Sequence, residues 1–370
     1  MRKNQEQKAS IAAIAQHLGL SQSTVYAALS GMGTVSQVTC EKVRHTAQEL
    51  GYRPNLIARS MRTQRTGMIG VILPSIVAPL NQELMAIMMQ RMINADYHAL
   101  FSCALGDRML EEKQIEHFLG IGIEGLILNL NAQFSADWYS KLAERIPLVL
   151  MDQPDFLLSA DVVGVDQVAV GVQAAEHLLS CGRRQLAFVP APQPYHWIAP
   201  RWQGFQQTLA ADGVTPRYLG DAAETYRAIH MEHLSLRQLH GWQMPASQLR
   251  IPPLTQYGYA VLSDMLENGG QCDGIFAAND QIAYGVLQAL ADAGRRVPDD
   301  VAVIGCDDLL ASEFISPALT TFHLPMEEIG VRATDRLLSR LTTGQEEYQP
   351  TTTLLPSKLV VRESSGGIPA

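Results

Sequence analysis

The chain has 370 residues, 47% of them hydrophobic and 18% charged, so we expect two or three globular domains and no long disordered chain. Its charge is divided unevenly: residues 1–66 hold nine Lys and Arg against three Asp and Glu, whereas the remainder holds 19 against 34. The first residues lack the apolar core of a secretion signal, no apolar run is long enough to span a bilayer, and the five cysteines form no CxxC pair. These features predict a protein of a reducing cytoplasm, without structural disulfides or a zinc site.

The basic N-terminal segment has the pattern of three short helices. Ser10, Ser21 and Ser36 stand where each helix would need an N-cap, and Gly19 can adopt the left-handed conformation that ends the first helix. The apolar positions expected inside are Ile11, Ile14, Ala15, Leu18, Val25, Ala28, Leu29, Val43, Ala47 and Leu50. Two short helices joined by a tight turn that contains glycine form the layout of a helix-turn-helix.

The second of these helices carries the residues that would read DNA. In a helix-turn-helix its N-terminal residues enter the major groove, where Gln22 can pair with adenine and Tyr26 offers a ring and a hydroxyl. Hydroxyl side chains at helix starts suit phosphate contacts. The DNA-contacting residues predicted in this segment are Ser21, Gln22, Ser23, Thr24, Tyr26, Ala27 and Ser36. A surface bundle without a partner is the alternative for residues 10–51, because short helical motifs often occur without function.

From Met68 onward, short apolar runs alternate with helical segments. The runs are MIGVILP, HALFSCAL, GLILNL, PLVLMD, VVGVDQ, QLAFVP, GIFAAN and VAVIGCD, and the helices are expected near 82–95, 168–180, 199–211, 281–293 and 326–341. Apolar runs of this length are typical of parallel strands covered on both faces. The pattern predicts an α/β body of doubly wound parallel sheets in two lobes, with ligands at the carboxyl ends of the strands.

Polar and aromatic side chains recur just beyond these strand ends. A cleft that combines carboxylates, amides, an Arg and an aromatic ring suits a polyhydroxylated ligand, because hydroxyls need donors and acceptors and a sugar's C–H face stacks on aromatic rings. The effector-binding residues predicted on this basis are Leu80, Asn81, Asp152, Trp197, Arg201, Asn279, Gln281 and Asp307. For each residue alone a structural role, such as a helix cap, a turn or a surface charge, is the competing interpretation.

Several motifs in order along the chain carry a family resemblance. STVYAALSG, ELGYRPN, ARSMRTQRT and, near residue 364, KLVVRES resemble the lactose/galactose-repressor (LacI/GalR) family over nearly the whole chain. The resemblance implies a helix-turn-helix headpiece (1–54), a hinge helix and linker (55–66), a two-lobed periplasmic-binding-protein-like body (67–364) and a tail (365–370). One lobe would comprise 67–166 with 325–343, the other 167–322 with 350–364, and the chain would cross between them near 166, 323 and 345.

The resemblance also implies DNA contacts in the hinge. The family's hinge helix enters the minor groove and wedges an apolar side chain into a base step, as other minor-groove proteins do. Carried onto this sequence, Met61 is the wedge, Ala58 and Arg62 lie beside it, and Asn55 joins the DNA-contacting set. Ala27 stands where the family often has a guanine-reading Arg, so the preferred half-site is expected to differ from the common family pattern.

These observations together predict a bacterial transcription factor. It would be cytoplasmic, nucleoid-associated when bound, and most simply a repressor of a carbohydrate-utilisation operon that binds a near-palindromic operator as a homodimer. A sugar-like effector in the inter-lobe cleft would control it, with no membrane partner and no cofactor. Two alternatives are a sugar-binding transport or chemoreceptor protein with the same body, and a metabolic enzyme, although the chain lacks GxSxG, HExxH, phosphate-loop and GxGxxG motifs. The absence of apolar heptads after residue 364 argues against a tetramer.

One segment departs from the family pattern. The chain between Arg201 and Gly258 is longer than expected, and residues 221–243 have the pattern of an extra helix. His230 and His233 are spaced i, i+3 on that helix, which is compatible with metal binding. No carboxylate or Cys is placed to complete a ligand set, so a solvent-facing His pair and no metal site are predicted.

Overall fold

The computed structural model of the chain describes residues 10–30, 35–52, 65–76, 78–104, 108–129, 135–152, 160–192, 195–220, 254–342 and 349–366. The chain divides into two compact units, residues 1–66 and 67–370. In the described segments, no helix is both long enough and apolar enough to cross a membrane.

The N-terminal unit contains the three predicted helices. They are α1 (Ile11–Leu18), α2 (Gln22–Ser30) and α3 (Gln37–Glu49). The Ser10 side chain accepts a hydrogen bond from the Ala13 amide at the start of α1, and Gly19 ends that helix with φ +64°. The predicted core positions Ile14, Ala15, Val25, Ala28, Val43 and Ala47 are buried together. The unit is therefore a small three-helix bundle held by side-chain caps and one apolar cluster.

The prediction that Leu50 lies inside this cluster was wrong. Leu50 is the C-cap residue of α3 and is 38% exposed. The chain turns at Gly51, with φ +65°, and the next residue, Tyr52, packs on the cluster instead. The helix therefore ends at Glu49, one residue before the position at which the predicted apolar stripe would have continued.

The second unit consists of alternating strands and helices. The strands are β1 (Met68–Leu73), β2 (His98–Cys103), β3 (Gly125–Asn129), β4 (Leu148–Met151), β5 (Asp161–Val165), β6 (Leu186–Val189), β7 (Arg217–Tyr218), β8 (Gly274–Ala277), β9 (Ala302–Ile304), β10 (Thr321–His323), β11 (Thr352–Leu355) and β12 (Lys358–Val360). The helices are α4 (Pro79–Asn94), α5 (Arg108–Ile121), α6 (Ala136–Arg145), α7 (Gln167–Ser180), α8 (Ile198–Ala211), α9 (Leu254–Glu267), α10 (Asp280–Asp292), α11 (Ala311–Phe314) and α12 (Met326–Thr342). A short 3₁₀ helix follows at Glu363–Ser365.

The strands form two parallel sheets, one in each lobe. The first sheet has the order β11-β5-β4-β3-β1-β2 and the second has the order β7-β6-β8-β9. A separate antiparallel pair, β10 with β12, lies where the chain passes between the lobes. The predicted α/β class with doubly wound parallel sheets is confirmed.

One predicted lobe boundary was wrong. The sequence placed residues 350–364 entirely in the second lobe, but Thr352–Leu355 pairs in parallel with Asp161–Val165 and so extends the first sheet. The last crossing therefore falls between β11 and β12 and not near residue 345. Pro356 separates the two strands, and a parallel edge strand this short has no pattern of its own from which its partner could be recognised.

Glycines allow the helices of the second lobe to cross in close contact. A Cβ atom on Gly171 of α7 would lie 2.0 Å from the Arg201 carbonyl oxygen of α8, and one on Gly204 would lie 2.1 Å from the Val168 carbonyl oxygen. Both distances are far below van der Waals contact with rigid backbone. The two glycines therefore set the spacing of α7 and α8, and with it the position of Arg201.

Gly171→Ala should lower the free energy of unfolding of the body by about 1–3 kcal/mol, the cost typical of overpacking a core. Gly120→Ala is the matched control, because Gly120 lies at the end of α5 with nothing within 4 Å of its added Cβ, and it should stabilise the chain by about 0.4–1 kcal/mol. Urea denaturation of the full chain measures both. Equal stability of the two variants would show that α7 and α8 can separate without cost.

Candidate effector site and DNA-binding surface

The predicted DNA-reading residues lie on and around α2. The Ser21 Oγ accepts the Thr24 amide at 3.1 Å and shares 2.8 Å hydrogen bonds with the hydroxyls of Ser23 and Thr24. Gln22 and Ser23 are exposed, whereas Tyr26 and Ala27 are half-buried. The start of α2 thus presents an exposed amide and a hydroxyl cluster.

Ser36 makes the corresponding cap at the next helix. Its Oγ accepts the Thr39 amide at 3.3 Å and lies 2.8 Å from the Thr39 hydroxyl. The hydroxyl of Ser36 is exposed, so capping and a phosphate contact are compatible. The predicted hinge contacts Asn55, Ala58, Met61 and Arg62 lie outside the described residues, as do His230, His233 and the segment 221–243.

Arg201 is the centre of the predicted effector site and is only 2% exposed. Its Nε and Nη2 groups donate to the Gln167 Oε1, and its Nη1 donates to the Ala278 carbonyl at the end of β8. The face of the guanidinium lies 4.5 Å from the centre of the Trp197 ring, and the Tyr195 ring stacks on Trp197 with centroids 5.2 Å apart. Arg201 is therefore not the surface charge of the alternative interpretation.

Asp152 brings a carboxylate from the first lobe. It follows β4 with φ +56°, and its Oδ1 accepts the Val165 amide at 3.0 Å. A Cβ on Gly164 would lie 2.8 Å from the Asp152 Cα, so glycine in β5 is what allows this close approach. Gln167 accepts hydrogen bonds from Arg201, and both Gln167 and the charge of Arg201 lower the pKa of Asp152, so groups of the two lobes interact here.

Asp307 brings a second carboxylate from the loop after β9. Its amide donates to the Phe322 carbonyl at 2.9 Å, and its φ is +124°. The neighbouring Asp308, with φ +51°, is held by Arg362 at 2.7 Å and faces the His323 Nδ1 at 3.2 Å. Of the two consecutive aspartates, Asp307 is thus the one that interacts electrostatically with Arg201.

The loop that carries Asp307 is braced by a buried carboxyl group, Asp280. The Ser312 hydroxyl and the Leu309 amide donate to its Oδ2 at 2.6 and 2.8 Å, and the Thr321 hydroxyl donates to its Oδ1. A Cβ on Gly305 would lie 2.3 Å from the Asp280 Oδ1. Asp280 therefore fixes the path of the loop from both ends.

Two carboxyl groups, Asp152 and Asp307, interact with the Arg201 guanidinium, and a third, Asp280, interacts with Asp307. Burial is the main reason that the pKa of Asp152, Asp280 and Asp307 is raised, and that of Asp307 is raised further by the nearby negative charges of Asp280 and Asp152. The positive charge of Arg201 opposes these shifts at Asp152 and Asp307. Burial also raises the pKa of Tyr195 to about 12, so its phenol stays neutral.

Other predicted effector residues have structural roles. The Asn81 Nδ2 donates to the Ser75 carbonyl at 2.7 Å within the β1–α4 loop, and the Asn279 Oδ1 caps α10 by accepting the Ile282 amide at 2.9 Å. Leu80 and Gln281 are half-buried in the first turns of α4 and α10. Asn81 and Asn279 therefore have structural roles, as the competing interpretation of the sequence allowed.

Sequence reasoning missed Gln167, and it noted Asp280 beyond a strand end without selecting it as a site residue. Gln167 follows the cap Asp166 at the start of α7, and its position two residues beyond the end of β5 was the available signal. Asp280 stands between two residues that were selected, but nothing in the local sequence indicates that it turns inward to the following loop.

Comparison with known families and proteins identifies the chain. Residues 175–365 match the model of the periplasmic binding protein-like domain, and residues 66–227 match that of the periplasmic binding proteins and sugar binding domain of the LacI family. The chain belongs to the LacI/GalR family of transcriptional regulators. This regulator therefore has the family's body, described above as two parallel sheets.

Relatives of similar length support this assignment. The chain is 26% identical over 354 residues to the ribose operon repressor of Haemophilus influenzae, with 95% of this chain and 97% of the relative covered. It is 29% identical over 333 residues to the transcriptional regulator GntR of Pseudomonas aeruginosa, with 90% and 89% covered. Both matches are longer than the second unit and so extend into the basic N-terminal unit. Both relatives are transcriptional regulators, and this favours a regulator over a transport protein or an enzyme.

Solved structures support the fold. A lac repressor dimer bound to operator and the anti-inducer ONPF has a TM-score of 0.76 and 22% identity, with 96% of this chain and 98% of that one covered. A complex of the regulator CelR with cellobiose has a TM-score of 0.64 and 22% identity, with 96% and 99% covered. At this identity the likeness concerns the fold alone.

Asp307→Asn should stabilise the body at neutral pH by about 0.5–2 kcal/mol, the usual size of a stabilising substitution. A carboxyl group whose pKa is raised by folding contributes stability that is lost as pH rises through the folded pKa, and Asn cannot ionise. The gain should therefore shrink as pH falls from 8 toward 4 in denaturation curves.

Asp300→Asn is a control for which we expect the opposite change in stability. Arg296 lowers the pKa of Asp300 to about 2, so Asp300 contributes stability that is present above its unfolded pKa and is lost only as pH falls through the folded value. Its replacement should destabilise the chain at neutral pH. A gain from Asp307→Asn that does not change with pH would contradict the ionisation argument.

Proposed function

We propose that this regulator is a repressor of a carbohydrate-utilisation operon that binds its operator as a homodimer in the bacterial cytoplasm, where it associates with the nucleoid. A small hydroxyl-rich effector bound between the lobes would control operator affinity. The observation that carries the proposal is the electrostatic interaction of Asp152 in the first lobe with Arg201 in the second, where Gln167 accepts hydrogen bonds from Arg201. The printed names of the relatives, among them ribose operon repressors, support the same class of target.

The chemistry of the site supports a polyol or sugar as effector. Arg201 provides donors, Asp152 and Asp307 provide acceptors, and the stacked rings of Tyr195 and Trp197 provide an apolar surface. Hydroxyl groups require both kinds of partner at short range, and sugars present C–H faces that pack on aromatic rings. Because these groups come from both lobes, a ligand that bridges them favours one lobe arrangement over others.

The basic unit supports operator binding. Its charge excess, its capped α2 and the exposed Gln22 side chain suit a recognition helix in the major groove, with Ser21, Ser23, Thr24, Tyr26, Ala27 and Ser36 around it. We propose that residues 55–66 form the hinge and that Met61 is the minor-groove wedge, with Asn55, Ala58 and Arg62 beside it. A homodimer matches a near-palindromic operator by symmetry.

Arg201→Ala should weaken effector binding by about 1.5–3 kcal/mol, because hydrogen bonds to charged groups are the stronger class. A thermal-shift panel of sugars, sugar phosphates and purines first finds the ligand, since a ligand at 100 times its Kd adds about 2.7 kcal/mol of stability. Calorimetric titration of the full chain then gives the affinity, alone and on operator DNA.

Arg184→Ala is the matched control, because Arg184 is exposed on the turn before β6 and outside the site. Both variants should bind operator like the wild type, and only Arg201→Ala should lose the response to effector, since operator and effector affinities are coupled reciprocally. Unchanged effector affinity in Arg201→Ala would place the ligand elsewhere.

Tyr26→Ala should change which operator half-site is preferred, by about 1–3 kcal/mol at the affected base pair. A scan of operator variants by fluorescence anisotropy measures this change. Ser36→Ala is a contrasting variant that removes a predicted phosphate contact, and it should weaken all sequences to a similar extent. An identical preference in Tyr26→Ala and wild type would make Tyr26 a packing residue.

A further inference from the structure

The chain enters the second unit at Gly67, the residue directly before β1. The Gly67 amide donates to the Glu124 Oε1 at 2.7 Å, and the Gly67 carbonyl accepts a hydrogen bond from the His98 amide, also at 2.7 Å. The Tyr97 hydroxyl donates to the other carboxylate oxygen of Glu124 at 3.3 Å. The first residue after the proposed linker is therefore bound at both of its backbone groups by the starts of two neighbouring strands, β2 and β3.

Glu124 also fixes the direction of the chain at this point. Gly67 has φ +67°, a conformation that favours glycine, and the Glu124 amide donates to the carbonyl of the next residue, Met68, at 2.8 Å. A hydrogen bond to a carboxylate belongs to the stronger, charge-assisted class. From here β1 continues into the sheet, where Ile69 is fully buried. The chain therefore leaves the first lobe along a path that the start of the sheet determines.

The second lobe contains the same arrangement at a place that has no linker. Asp273 directly precedes β8 as Glu124 precedes β3, and its carboxylate accepts the amides of Arg184 and Gln185, just before β6, at 3.0 and 2.8 Å. A carboxylate of this kind thus aligns the starts of two paired parallel strands in each lobe. In the second lobe the bound residues follow helix α7, whereas in the first lobe the bound residue follows the linker. The contact at Gly67 therefore also acts on a segment outside the lobe.

We infer that Glu124 is a positioning residue for operator recognition. By holding Gly67, it fixes the point from which the linker leaves each protomer, and so sets the number of base pairs between the two half-sites, the operator centre, that the homodimer accepts. The inference rests on the proposed function, because it requires residues 55–66 to form the hinge.

The lengths involved show why one residue matters. An extended residue spans about 3.3–3.6 Å, and one base-pair step spans about 3.4 Å. Half-site spacing is a geometric property of the bound dimer. Release of one residue in each protomer is therefore enough to accommodate a centre that differs by one base pair.

The test begins with the selection of operators by the full chain from duplexes that carry two inverted, randomised half-sites around a centre of variable length. Fluorescence anisotropy then measures affinity for the selected half-sites with the preferred centre and with centres one base pair shorter and longer. The wild type should bind the preferred centre at least tenfold more tightly. In Glu124→Ala this ratio should fall several-fold. Glu124→Gln, whose amide oxygen can still accept the Gly67 N–H, should retain most of it.

Two matched controls separate position from stability. Asp273→Ala removes the equivalent carboxylate from the second lobe and should leave the ratio unchanged, although it also lowers the free energy of unfolding. Gly67→Ala and Gly294→Ala form a second pair, because both glycines have φ +67° and no atom lies closer than 3.8 Å to either added Cβ. The side chain strains both turns, but only Gly67→Ala should reduce the preference for one centre length. Urea denaturation establishes that each variant is folded.

The outcomes separate the inference from the proposed function. A preference for one centre length that Glu124→Ala and Gly67→Ala both keep would overturn the inference and leave operator binding intact, as would a wild type that binds all centre lengths equally. If Glu124→Ala does not fold, Gly67→Ala decides the question. An equal reduction in Asp273→Ala would attribute the effect to stability and would also overturn the inference. Failure of the full chain to select any half-site would overturn the proposed function together with the inference.

Discussion

The burial of one positive charge, that of Arg201, governs the arrangement around the effector site. A guanidinium removed from water must find hydrogen-bond partners and counter-charges within the protein. Gln167 at the start of α7 and the Ala278 carbonyl at the end of β8 provide the partners, and Gly171 and Gly204 let α7 and α8 approach closely enough for this. The counter-charges come from Asp307 of the same lobe and Asp152 of the other. The energy of this charge therefore depends on how the two lobes lie relative to each other.

The site concentrates features that oppose folding. Asp152, Asp307 and Asp308 all have positive φ values, which side chains other than glycine seldom adopt, and burial raises the pKa of two of them. Such local strain persists only where the surroundings impose it, and it is common in binding sites. Here the Asp280 network and the Arg362 ion pair hold the loop in place. A ligand whose hydroxyls donate to Asp152 and Asp307 relieves part of the cost of burying these carboxyl groups. Their burial, which lowers the stability of the body, therefore favours binding of such a ligand.

The sequence predicted regular elements well and side-chain roles less well. The caps Ser10 and Ser36, the turn at Gly19 and the buried strands follow from local patterns, because each depends on residues within one turn or one strand. The partner of Thr352–Leu355 is almost 200 residues away, in Asp161–Val165, and no local pattern could indicate it. Asp152, Arg201 and Asp307 of the effector site are likewise far apart in the sequence. Strand-end position selected Asp152, Arg201 and Asp307 correctly as neighbours, but it could not distinguish them from Asn81 and Asn279, whose amides are used by their own loops.

The loop after β9 connects the site to the crossings between the lobes. The Asp307 amide donates to the Phe322 carbonyl of β10, and the adjacent Asp308 is bound to Arg362 just beyond β12. In the β10–β12 pair, Phe322 is opposite Leu359. β10 leads into α12 of the first lobe, and β12 follows β11 of the first lobe. A shift of Asp307 toward a ligand must therefore be accommodated by β10, by β12 or by both. Since packed elements resist continuous deformation, this favours a change between discrete lobe arrangements over a gradual adjustment within the site.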